Sequence, residues 1–410
     1  MISLRTMKGS KMELLSPAGD MERLEMALLY GADAVYLAGH AFGMRAAAGN
    51  FSLDEMAWAV EMCRERGTKI YVTCNAIPTN SEMERLPGFL ESLEEIGVDA
   101  IIAADVGVIA QAKKYAPSVP LHVSTQAGIM NYAGAQAFYD MGATRAILAR
   151  ELSLEDIAEI RAKTPKELEL EAFVHGAMCV SFSGRCLLSS YMTGRNANRG
   201  ECAQPCRWTY HLVERQRPGE YMEISEDGGT HILSARDLCM IEHIPELMEV
   251  GLDSLKIEGR MKSAYYVAVI TNAYRKVIDA VVAGRAPEKL WIDEVYKVSH
   301  REYSTGFYFS RDGGGQNYTE TGYINNCDVV GVVKSCNEDT VAVVSQRNRF
   351  YEGDNLELLT PDGVPEQFVA REMLDESGNP IDDAKHPMMD IEMPLPRYAA
   401  PNSILRKNRG

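Results

Sequence analysis

Four cysteines lie close together in the middle of the chain, in a segment rich in glycine, serine, asparagine and arginine. Cys179, Cys186, Cys202 and Cys206 fall within residues 171–210 and are four of the nine cysteines of the chain. Thiolates bind zinc, often as paired C-x2-C, and they bind iron–sulfur clusters in the tight runs of ferredoxins. The spacing here is C-x6-C-x15-C-x3-C. The count therefore predicts a metal centre, but the spacing does not identify the metal.

Packing and disulfide bonds are the two alternative roles for these thiols. A free cysteine behaves as a small hydrophobic side chain, and Cys63, Cys74, Cys327 and Cys336 lie in apolar patterns that fit this role. The central segment has little apolar periodicity and offers no regular hydrophobic face for packing. Disulfides need an oxidising compartment, and no feature of the chain indicates export. We therefore expect metal ligation, by zinc or by an iron–sulfur cluster.

Arginines accompany these cysteines, although the chain as a whole is acidic. The formal net charge is -16, from 42 Lys and Arg against 58 Asp and Glu, which argues against nucleic-acid binding through bulk charge. From Arg185 to Arg207, the four arginines Arg185, Arg195, Arg199 and Arg207 occur with a single acid, Glu201. This local charge suits a phosphate-binding surface, and a solvated arginine face would look the same.

Length and composition indicate an ordinary globular protein. The 410 residues, 46% of them hydrophobic, allow two or three domains with a large buried core. No stretch is long and apolar enough for a membrane helix, and residues 1–15 lack the apolar run of a signal peptide. We therefore expect a cytoplasmic protein with no membrane partner, in which thiols stay reduced.

The elements that must position these residues follow a regular alternation from Met12 onwards. Short β-branched runs alternate with amphipathic helical patterns at a repeat of roughly thirty residues. The helical patterns end repeatedly in glycine, which suits a left-handed C-cap, at Gly31, Gly67, Gly97, Gly142 and Gly251. Eight such units predict an α/β fold, a TIM-like (β/α)8 barrel.

Domain boundaries follow from shifts in composition. The predicted barrel domain covers residues 1–287 and carries the cysteine-rich insertion at about 176–232. Residues 288–322 form a predicted connector rich in glycine and tyrosine. Residues 323–410 alternate short strands with turns and predict a small antiparallel β-barrel domain.

Polar residues occur at the predicted strand ends, where barrel enzymes carry their active sites. His175 lies in the seventh unit, and Lys256, Glu258 and Arg260 follow in the eighth; these four are our candidate catalytic residues. Lys256, Glu258 and Arg260 alternate along a strand, so they either contact substrate or form a buried ion pair. His175 is either a proton relay or a hydrogen-bonded structural histidine.

Further polar residues are candidates for substrate binding. His122 and Gln126 lie in and after the fifth predicted strand. The four arginines of the cysteine segment belong to the same group. Motifs of familiar hydrolases and nucleotide-binding proteins, by contrast, do not occur: there is no H-E-x-x-H helix, G-x-S-x-G elbow, strand-linked G-x-G-x-x-G or Walker loop.

Four stretches together resemble the collagenase-like peptidase family, U32. They are ELLSPAGD, EAFVHGAMCVSFSGRCLLSS, NRGECAQPCRW and SLKIEGRMKS. Within that family the chain is most similar to members that install 5-hydroxyuridine at the wobble position of tRNA, because NRGECAQPCRWTY and the C-terminal small barrel match their layout. The resemblance implies a 4Fe-4S cluster on the four central cysteines, hydroxylation without molecular oxygen, and a prephenate-linked oxygen donor.

The resemblance also bears on single residues. Some relatives draw a cluster ligand from beyond the central segment, which makes Cys239 an alternative to Cys206. We retain Cys206 because C-x3-C brings two thiolates to one site by local geometry. Arg45 and Asn50, in GMRAAAGNF, match a family stretch near the second strand and are further candidates for substrate binding.

Three functions remain open at this point. The first is an oxygen-independent hydroxylase that docks tRNA on the arginine segment and the small barrel and flips one uridine into the barrel mouth. The second is a peptidase, which requires a nucleophile or a hydrolytic metal. The third is an accessory protein that binds a partner without catalysis. The RNA, the small-molecule co-substrate and any homo- or hetero-oligomeric state are left open by the sequence.

Overall fold

Eight parallel strands close into a barrel in the N-terminal part of the chain. The computed structural model describes residues 12–44, 49–179, 181–182, 185–208, 212–213, 221–222, 235–310 and 323–409. Its first twelve strands are β1 (Glu13–Pro17), β2 (Ala34–Leu37), β3 (Lys69–Cys74), β4 (Ala100–Ala103), β5 (Leu121–Val123), β6 (Arg145–Ile147), β7 (Glu169–Ala177), β8 (Leu212–Val213), β9 (Tyr221–Met222), β10 (Asp237–Cys239), β11 (Ser254–Ile257) and β12 (Tyr303–Ser304). Strands β1 to β7 pair in sequence order, and β11 closes the ring by pairing with both β1 and β7.

Helices cover the outside of this barrel. The helices of the described residues, of which α8 belongs to the cysteine segment, are α1 (Met21–Leu29), α2 (Leu53–Glu65), α3 (Asn80–Met83), α4 (Leu86–Ile96), α5 (Val106–Tyr115), α6 (Tyr132–Asp140), α7 (Leu154–Lys163), α8 (Leu188–Thr193), α9 (Ile244–Glu249), α10 (Ala264–Val282) and α11 (Lys289–Glu294). The strands between them are buried on both faces; all four residues of β2 and of β4 are buried. Near-continuous apolar strands are typical of a parallel sheet covered by helices. The predicted (β/α)8 barrel is thus confirmed.

Local sequence signals set the helix ends. Ser52 begins α2 with a capping box, in which its hydroxyl accepts from Glu55 N while the Glu55 carboxylate accepts from Ser52 N. Gly97 ends α4 in the left-handed conformation, at φ 78°. The other four glycines predicted as C-caps also have positive φ. These signals explain why the alternation of strands and helices is legible in the sequence.

Strand β7 is longer than its neighbours and supports an addition outside the barrel. Its last residues pair with antiparallel β10, and β12 pairs with β10 in turn. Residues 237–251 therefore begin as a strand and become helical only at the 3-10 helix Ile241–His243 and α9. The predicted connector likewise contains α11 and β12.

The C-terminal domain is an antiparallel sheet. Its strands are β13 (Cys327–Cys336), β14 (Val341–Gln346), β15 (Phe350–Tyr351), β16 (Asn355–Leu359), β17 (Glu366–Val369), β18 (Asp383–Ala384), β19 (Asp390–Pro394) and β20 (Ile404–Asn408). Six of them form one sheet in the order β17-β16-β20-β13-β14-β19, and β15 pairs with β18. Because β17 and β19 do not pair with each other in the described part of the chain, this domain is a half-barrel.

Buried charges join the two domains. Arg406 of β20 is fully buried and donates to Glu294 at 2.8 Å, and it also pairs with Glu357. Lys297 completes the group, 3.0 Å from Glu357. Apolar residues of the C-terminal domain, namely Val332, Leu359 and Ile404, join the hydrophobic core of the barrel domain. The half-barrel is therefore packed onto the barrel by both polar and apolar contacts.

In the part of the chain that the structure describes, no helix has both the length and the apolar character needed to cross a bilayer.

Candidate active site

The lower half of the barrel interior holds a network of buried charges. Arg145, at the start of β6, lies 2.8 Å from Glu171 and 2.5 Å from Glu13. Lys256 Nζ lies 2.9 Å from Glu171 Oε1, and both side chains are almost completely buried. Burial lowers the pKa of Lys256. Of the two predicted roles for Lys256, this position fits the buried ion pair, because its charge is matched within the barrel.

His122 belongs to the same layer of the interior. Its ring packs edge-on against Tyr71 at 4.7 Å, and its Nδ1 has no hydrogen-bond partner among the described residues. Burial, reinforced by the nearby charges of Arg145 and Lys256, holds the pKa of His122 well below its usual range. The imidazole is therefore neutral at physiological pH. Its predicted role in substrate binding stays a prediction.

Arg260 lies at the barrel mouth, beyond the carboxyl end of β11. Only 4% of it is exposed, and its guanidinium donates to Thr73 Oγ1 at 3.2 Å and to Asn50 Oδ1 at 2.5 Å. Asn50 adopts a left-handed backbone conformation, at φ 55°, and its N–H donates to Gly19 O at 2.9 Å. The arrangement brings the predicted residues Arg260 and Asn50 together at one point of the mouth.

Thr73 is a residue of this site that we did not single out from the sequence. Its hydroxyl also donates to Leu37 O at 3.1 Å, which orients it toward Arg260. Its position at the carboxyl end of β3 is the signal that could have identified it, since site residues collect at strand ends.

A second charged pair lies at the mouth. Arg150, after β6, is 3.3 Å from the Glu258 carboxylate and donates to Ala177 O at 3.0 Å. The guanidinium of Arg150 also stacks over the ring of Phe173 at 3.9 Å. The side chains of Arg150 and Glu258 are 14% and 15% exposed. Glu258 thus faces the mouth, and its partner Arg150, a polar residue at the end of the sixth predicted strand, was not among the candidate catalytic or substrate-binding residues.

Gln126 projects into the same region from the 3-10 helix Thr125–Ala127 that follows β5. Its Nε2 contacts Met44 Sδ, and its Oε1 has no hydrogen-bond partner within the described residues. Gln126 is 94% buried, since its exposed fraction is 6%. A buried amide oxygen without a partner is costly, so this position suits contact with a bound ligand.

His175 lies outside the barrel interior. Its Nδ1 is 3.3 Å from the Tyr274 hydroxyl on α10, and its Nε2 is 3.3 Å from the Tyr303 hydroxyl on β12. Burial lowers the pKa of His175 to about 3. Both ring nitrogens are thus occupied on the helix side of the sheet. This placement fits a structural role for His175. The predicted catalytic role stays a prediction, and His175 does not lie at the barrel mouth.

The cysteine segment lies across the mouth and is anchored at two points. Arg199 pairs with Glu82 of α3 at 2.5 Å. On the other side, a Cβ at Gly128 would lie 3.3 Å from the Phe182 ring, so this ring covers the end of the 3-10 helix that carries Gln126. Arg185 and Arg195 are exposed. Arg207 is the last residue of the 3-10 helix Pro205–Arg207, and its side chain is not among those that the structure describes. Arg45 lies outside the described residues.

Three thiols of this segment share one hydrogen-bonding pattern. Each sulfur accepts from the backbone N–H two residues further on, at 3.4 Å for Cys179, 3.3 Å for Cys186 and 3.4 Å for Cys202. By contrast, the Cys327 thiol donates to Asn408 Oδ1 at 2.8 Å. Hydrogen bonds to sulfur stabilise the thiolate form that binds metal and tune iron–sulfur clusters.

The backbone around Cys186 is held in place from both sides. Asn198 Oδ1 accepts from Cys186 N at 3.2 Å, and Asn198 Nδ2 donates to Cys186 O at 3.2 Å. Helix α8, which begins two residues later, packs against the 3-10 helix that carries Cys206. Cys186 therefore lies two residues before a helix that contacts the element carrying Cys206.

The donor chemistry of the four thiols fits a thiolate-bound cluster. Within the described residues, however, no three His, Cys, Asp or Glu side chains are already gathered as a metal site. Cys239 has a different environment: burial raises the pKa of its thiol to about 12, and it pairs across the strands with His175. This environment fits the packing alternative for Cys239.

The fold and the grouping of polar side chains at the carboxyl ends of the strands define a (β/α)8-barrel protein with its candidate site at the barrel mouth. The chain belongs to peptidase family U32. The family model described as Peptidase family U32 matches residues 19–317. A second model, described as Peptidase family U32 C-terminal domain, matches residues 325–406.

Relatives with descriptive names span the chain. It is 40% identical to tRNA hydroxylation protein P1 of Bacillus subtilis (strain 168), covering 97% of this chain and 95% of that protein. It is 35% identical to tRNA hydroxylation protein P of Escherichia coli (strain K12), covering 97% of each. It is also 37% identical to the 23S rRNA 5-hydroxycytidine C2501 synthase of Escherichia coli (strain K12), over 75% of this chain and 47% of that protein.

Proposed function

We propose that this protein is an RNA-modifying enzyme that hydroxylates a wobble uridine of tRNA to 5-hydroxyuridine without molecular oxygen. The observation that carries the proposal is the 40% identity, over 97% of the chain, to a protein named for tRNA hydroxylation. A relative named as an rRNA hydroxycytidine synthase supports the same chemistry, addition of a hydroxyl group to a pyrimidine.

The position of the candidate site supports a base as substrate. An enzyme that acts on a base must take it out of the stack, and bases of an anticodon loop are already partly unstacked. The barrel mouth offers Arg260, Asn50 and Gln126 as hydrogen-bonding groups for an extruded uracil or a co-substrate. The basic cysteine segment across the mouth would bind the flanking phosphates.

The four cysteines Cys179, Cys186, Cys202 and Cys206 would hold a 4Fe-4S cluster. Such a cluster, when bound, supplies electron transfer. The chain's own contribution is to orient the thiols: backbone N–H groups donate to three of the sulfurs, and Asn198 holds the Cys186 backbone. Cys206 completes the set on the turn that packs against α8.

The oxygen atom requires a donor. Replacement of the C5 hydrogen by a hydroxyl group inserts one oxygen atom and oxidises the base by two electrons, so the donor loses that oxygen and is reduced by two electrons. We assign this role to a prephenate-linked co-substrate. A guanidinium is well suited to bind a carboxylate, and Arg260 and Arg150 both place one at the mouth.

The peptidase alternative has less support. A hydrolytic nucleophile needs an adjacent base, normally within hydrogen-bond reach. In the described part of the chain, His175 is enclosed by tyrosines outside the barrel and His122 lies in the ionic layer below the mouth. Among the described residues, neither histidine has a hydrogen bond to a thiol or hydroxyl of the cysteine segment; the ring of His175 meets Tyr274 and Tyr303, and that of His122 meets Tyr71.

Two measurements test the proposed function. The first is iron and acid-labile sulfide on protein purified without oxygen, for the wild type, Cys179→Ala and the control Cys336→Ala. We expect about four irons and four sulfides per chain, lost in Cys179→Ala and kept in Cys336→Ala. The second is nucleoside analysis of tRNA from cells that lack the gene and carry each variant, where 5-hydroxyuridine should return with the wild type and the control alone.

Either measurement can contradict the proposal. Zinc in place of iron, or full hydroxylation by Cys179→Ala, would exclude the cluster mechanism. If Cys239→Ala loses iron while Cys206→Ala retains it, the ligand set is Cys179, Cys186, Cys202 and Cys239 instead. Cleavage of a denatured collagen substrate with no change in tRNA nucleosides would favour the peptidase.

A further inference from the structure

The cysteine segment exposes a group of large apolar side chains. Tyr191 is 83% exposed, the highest value among the exposed large hydrophobic residues that the structure describes. Around it in the segment, the others are Phe182, Leu187, Met192 and Trp208, each at least 43% exposed. Large apolar side chains that are exposed together in one short segment are a mark of a binding site. Three of the five side chains are aromatic rings.

This surface adjoins the barrel mouth. Phe182 lies against Gly128, at the end of the 3-10 helix that carries Gln126. On the far side of the segment, the Arg199 and Glu82 pair ties it to α3, which follows the carboxyl end of β3. A ligand on the aromatic side chains is therefore next to the opening through which a base would enter the barrel.

The charge of the segment selects the class of ligand. Arg185 and Arg195 are exposed, and neither has an ion-pair partner among the described residues. The only acid between residues 185 and 208 is Glu201, which accepts from Asn196 N at 3.3 Å. In a chain of net charge -16, this is a local positive surface interleaved with aromatic rings. Such a combination is typical of binding to unpaired nucleic acid.

We propose that Phe182, Tyr191 and Trp208 form a stacking surface for the unpaired nucleotides that flank the modified base, with Arg185 and Arg195 on the RNA backbone. This assignment rests on the proposed function and deepens it, since it names a single-stranded RNA loop as the ligand of the segment. Bases in a duplex cannot stack on protein side chains, whereas the splayed bases of a loop can. The surface therefore discriminates loops from paired stems.

The test is binding of the full-length protein to a fluorescent RNA hairpin with a uridine-containing loop, measured by anisotropy. The fully paired duplex of the same stem and denatured collagen are the competitors. The variants are Tyr191→Ala and Trp208→Ala, with Tyr191→Phe to keep the ring. Trp58→Ala is the matched control, because Trp58 is 73% exposed but lies on α2 among acidic residues.

We expect each alanine variant of the surface to bind the loop hairpin about tenfold more weakly, since stacking on one aromatic side chain contributes about that factor. Tyr191→Phe and Trp58→Ala should bind as the wild type does. The slope of the logarithm of the binding constant against the logarithm of salt concentration should fall by about one for Arg195→Ala, because one phosphate contact is lost. Tyr191→Ala should leave this slope unchanged. The three substituted aromatic positions, Tyr191, Trp208 and Trp58, are all exposed, so thermal unfolding should confirm that the variants are folded.

The stacking surface would be overturned if Tyr191→Ala and Trp208→Ala bound the loop as tightly as the wild type does. Equal binding of loop and duplex, or displacement of the hairpin by denatured collagen, would also overturn it. The proposed function is judged separately, by 5-hydroxyuridine in tRNA. Normal hydroxylation with unchanged loop binding in the alanine variants overturns the surface alone. Loop binding that depends on Tyr191, in a protein that forms no 5-hydroxyuridine, supports the surface and overturns the hydroxylase.

Discussion

The barrel interior and the cysteine segment use charged side chains in opposite ways. In the interior, Arg145, Glu171 and Lys256 are buried, and the Glu171 carboxylate lies 2.8 Å from Arg145 and 2.9 Å from Lys256. In the segment, Arg185 and Arg195 are exposed to solvent. A buried charge must be paired to remain charged, so the interior network serves the fold. Exposed arginines and exposed aromatic rings are available to a ligand, which is the basis of the RNA-binding surface proposed for this segment.

Removing Glu171 tests the interior side of this comparison and should have the largest effect. Glu171→Ala leaves Arg145 and Lys256 buried without their shared carboxylate. We expect a loss of about 3–5 kcal/mol in the free energy of unfolding, measured by chemical denaturation. Glu201→Ala, on the exposed segment, is the control and should change this free energy by less than about 0.5 kcal/mol. Equal effects of the two variants would show that the interior charges are not coupled.

The pH dependence of stability should report on His175. Its pKa is about 3 in the folded protein, below its ordinary value of 6.5. The unfolded chain therefore binds more protons between these values, and stability falls as the pH drops from 6.5 toward 3. This contribution amounts to about 2 kcal/mol at pH 5.

His175→Phe should remove that part of the acid sensitivity. Tyr274 and Tyr303 keep other hydrogen bonds, to Val174 O and Val295 O, both at 2.9 Å. The measurement is the unfolding free energy at pH 7 and pH 5 for the wild type, His175→Phe and the exposed control His386→Phe. An unchanged difference between the two pH values in His175→Phe would contradict burial of the neutral imidazole. Loss of 5-hydroxyuridine in a stable His175→Phe variant would restore the catalytic alternative.

The smallest expected effect concerns the cysteine segment. Asn198→Ala removes both hydrogen bonds that hold the Cys186 backbone, and we expect iron to be lost to a chelator about tenfold faster. The readout is the visible absorbance of the protein during chelation. Asn348→Ala is the matched control, because the Asn348 amide likewise holds a backbone carbonyl, Val329 O at 2.7 Å, but lies in the C-terminal domain. Identical rates in the two variants would mean that Asn198 does not position a cluster ligand.

Some of the site could be predicted from the sequence and some could not. Arg260 and Asn50 were both candidates, yet nothing local shows that they contact each other or that Thr73 joins them. Lys256 and Arg260 are four residues apart, but one lies in the ionic layer and the other at the mouth. His175 follows the same strand pattern as true mouth residues, and only its contacts with Tyr274 and Tyr303 place it on the helix side.

The alternation of strands and helices, the glycine C-caps and the change to an antiparallel domain were determined by the sequence itself, because periodicity and capping depend on residues a few positions apart. The partners of each polar side chain were decided only by the tertiary structure. Arg145 meets Glu13 across 132 residues, and Arg260 meets Asn50 across 210. Closure of the barrel brings these groups together, and no local pattern encodes which of them will meet.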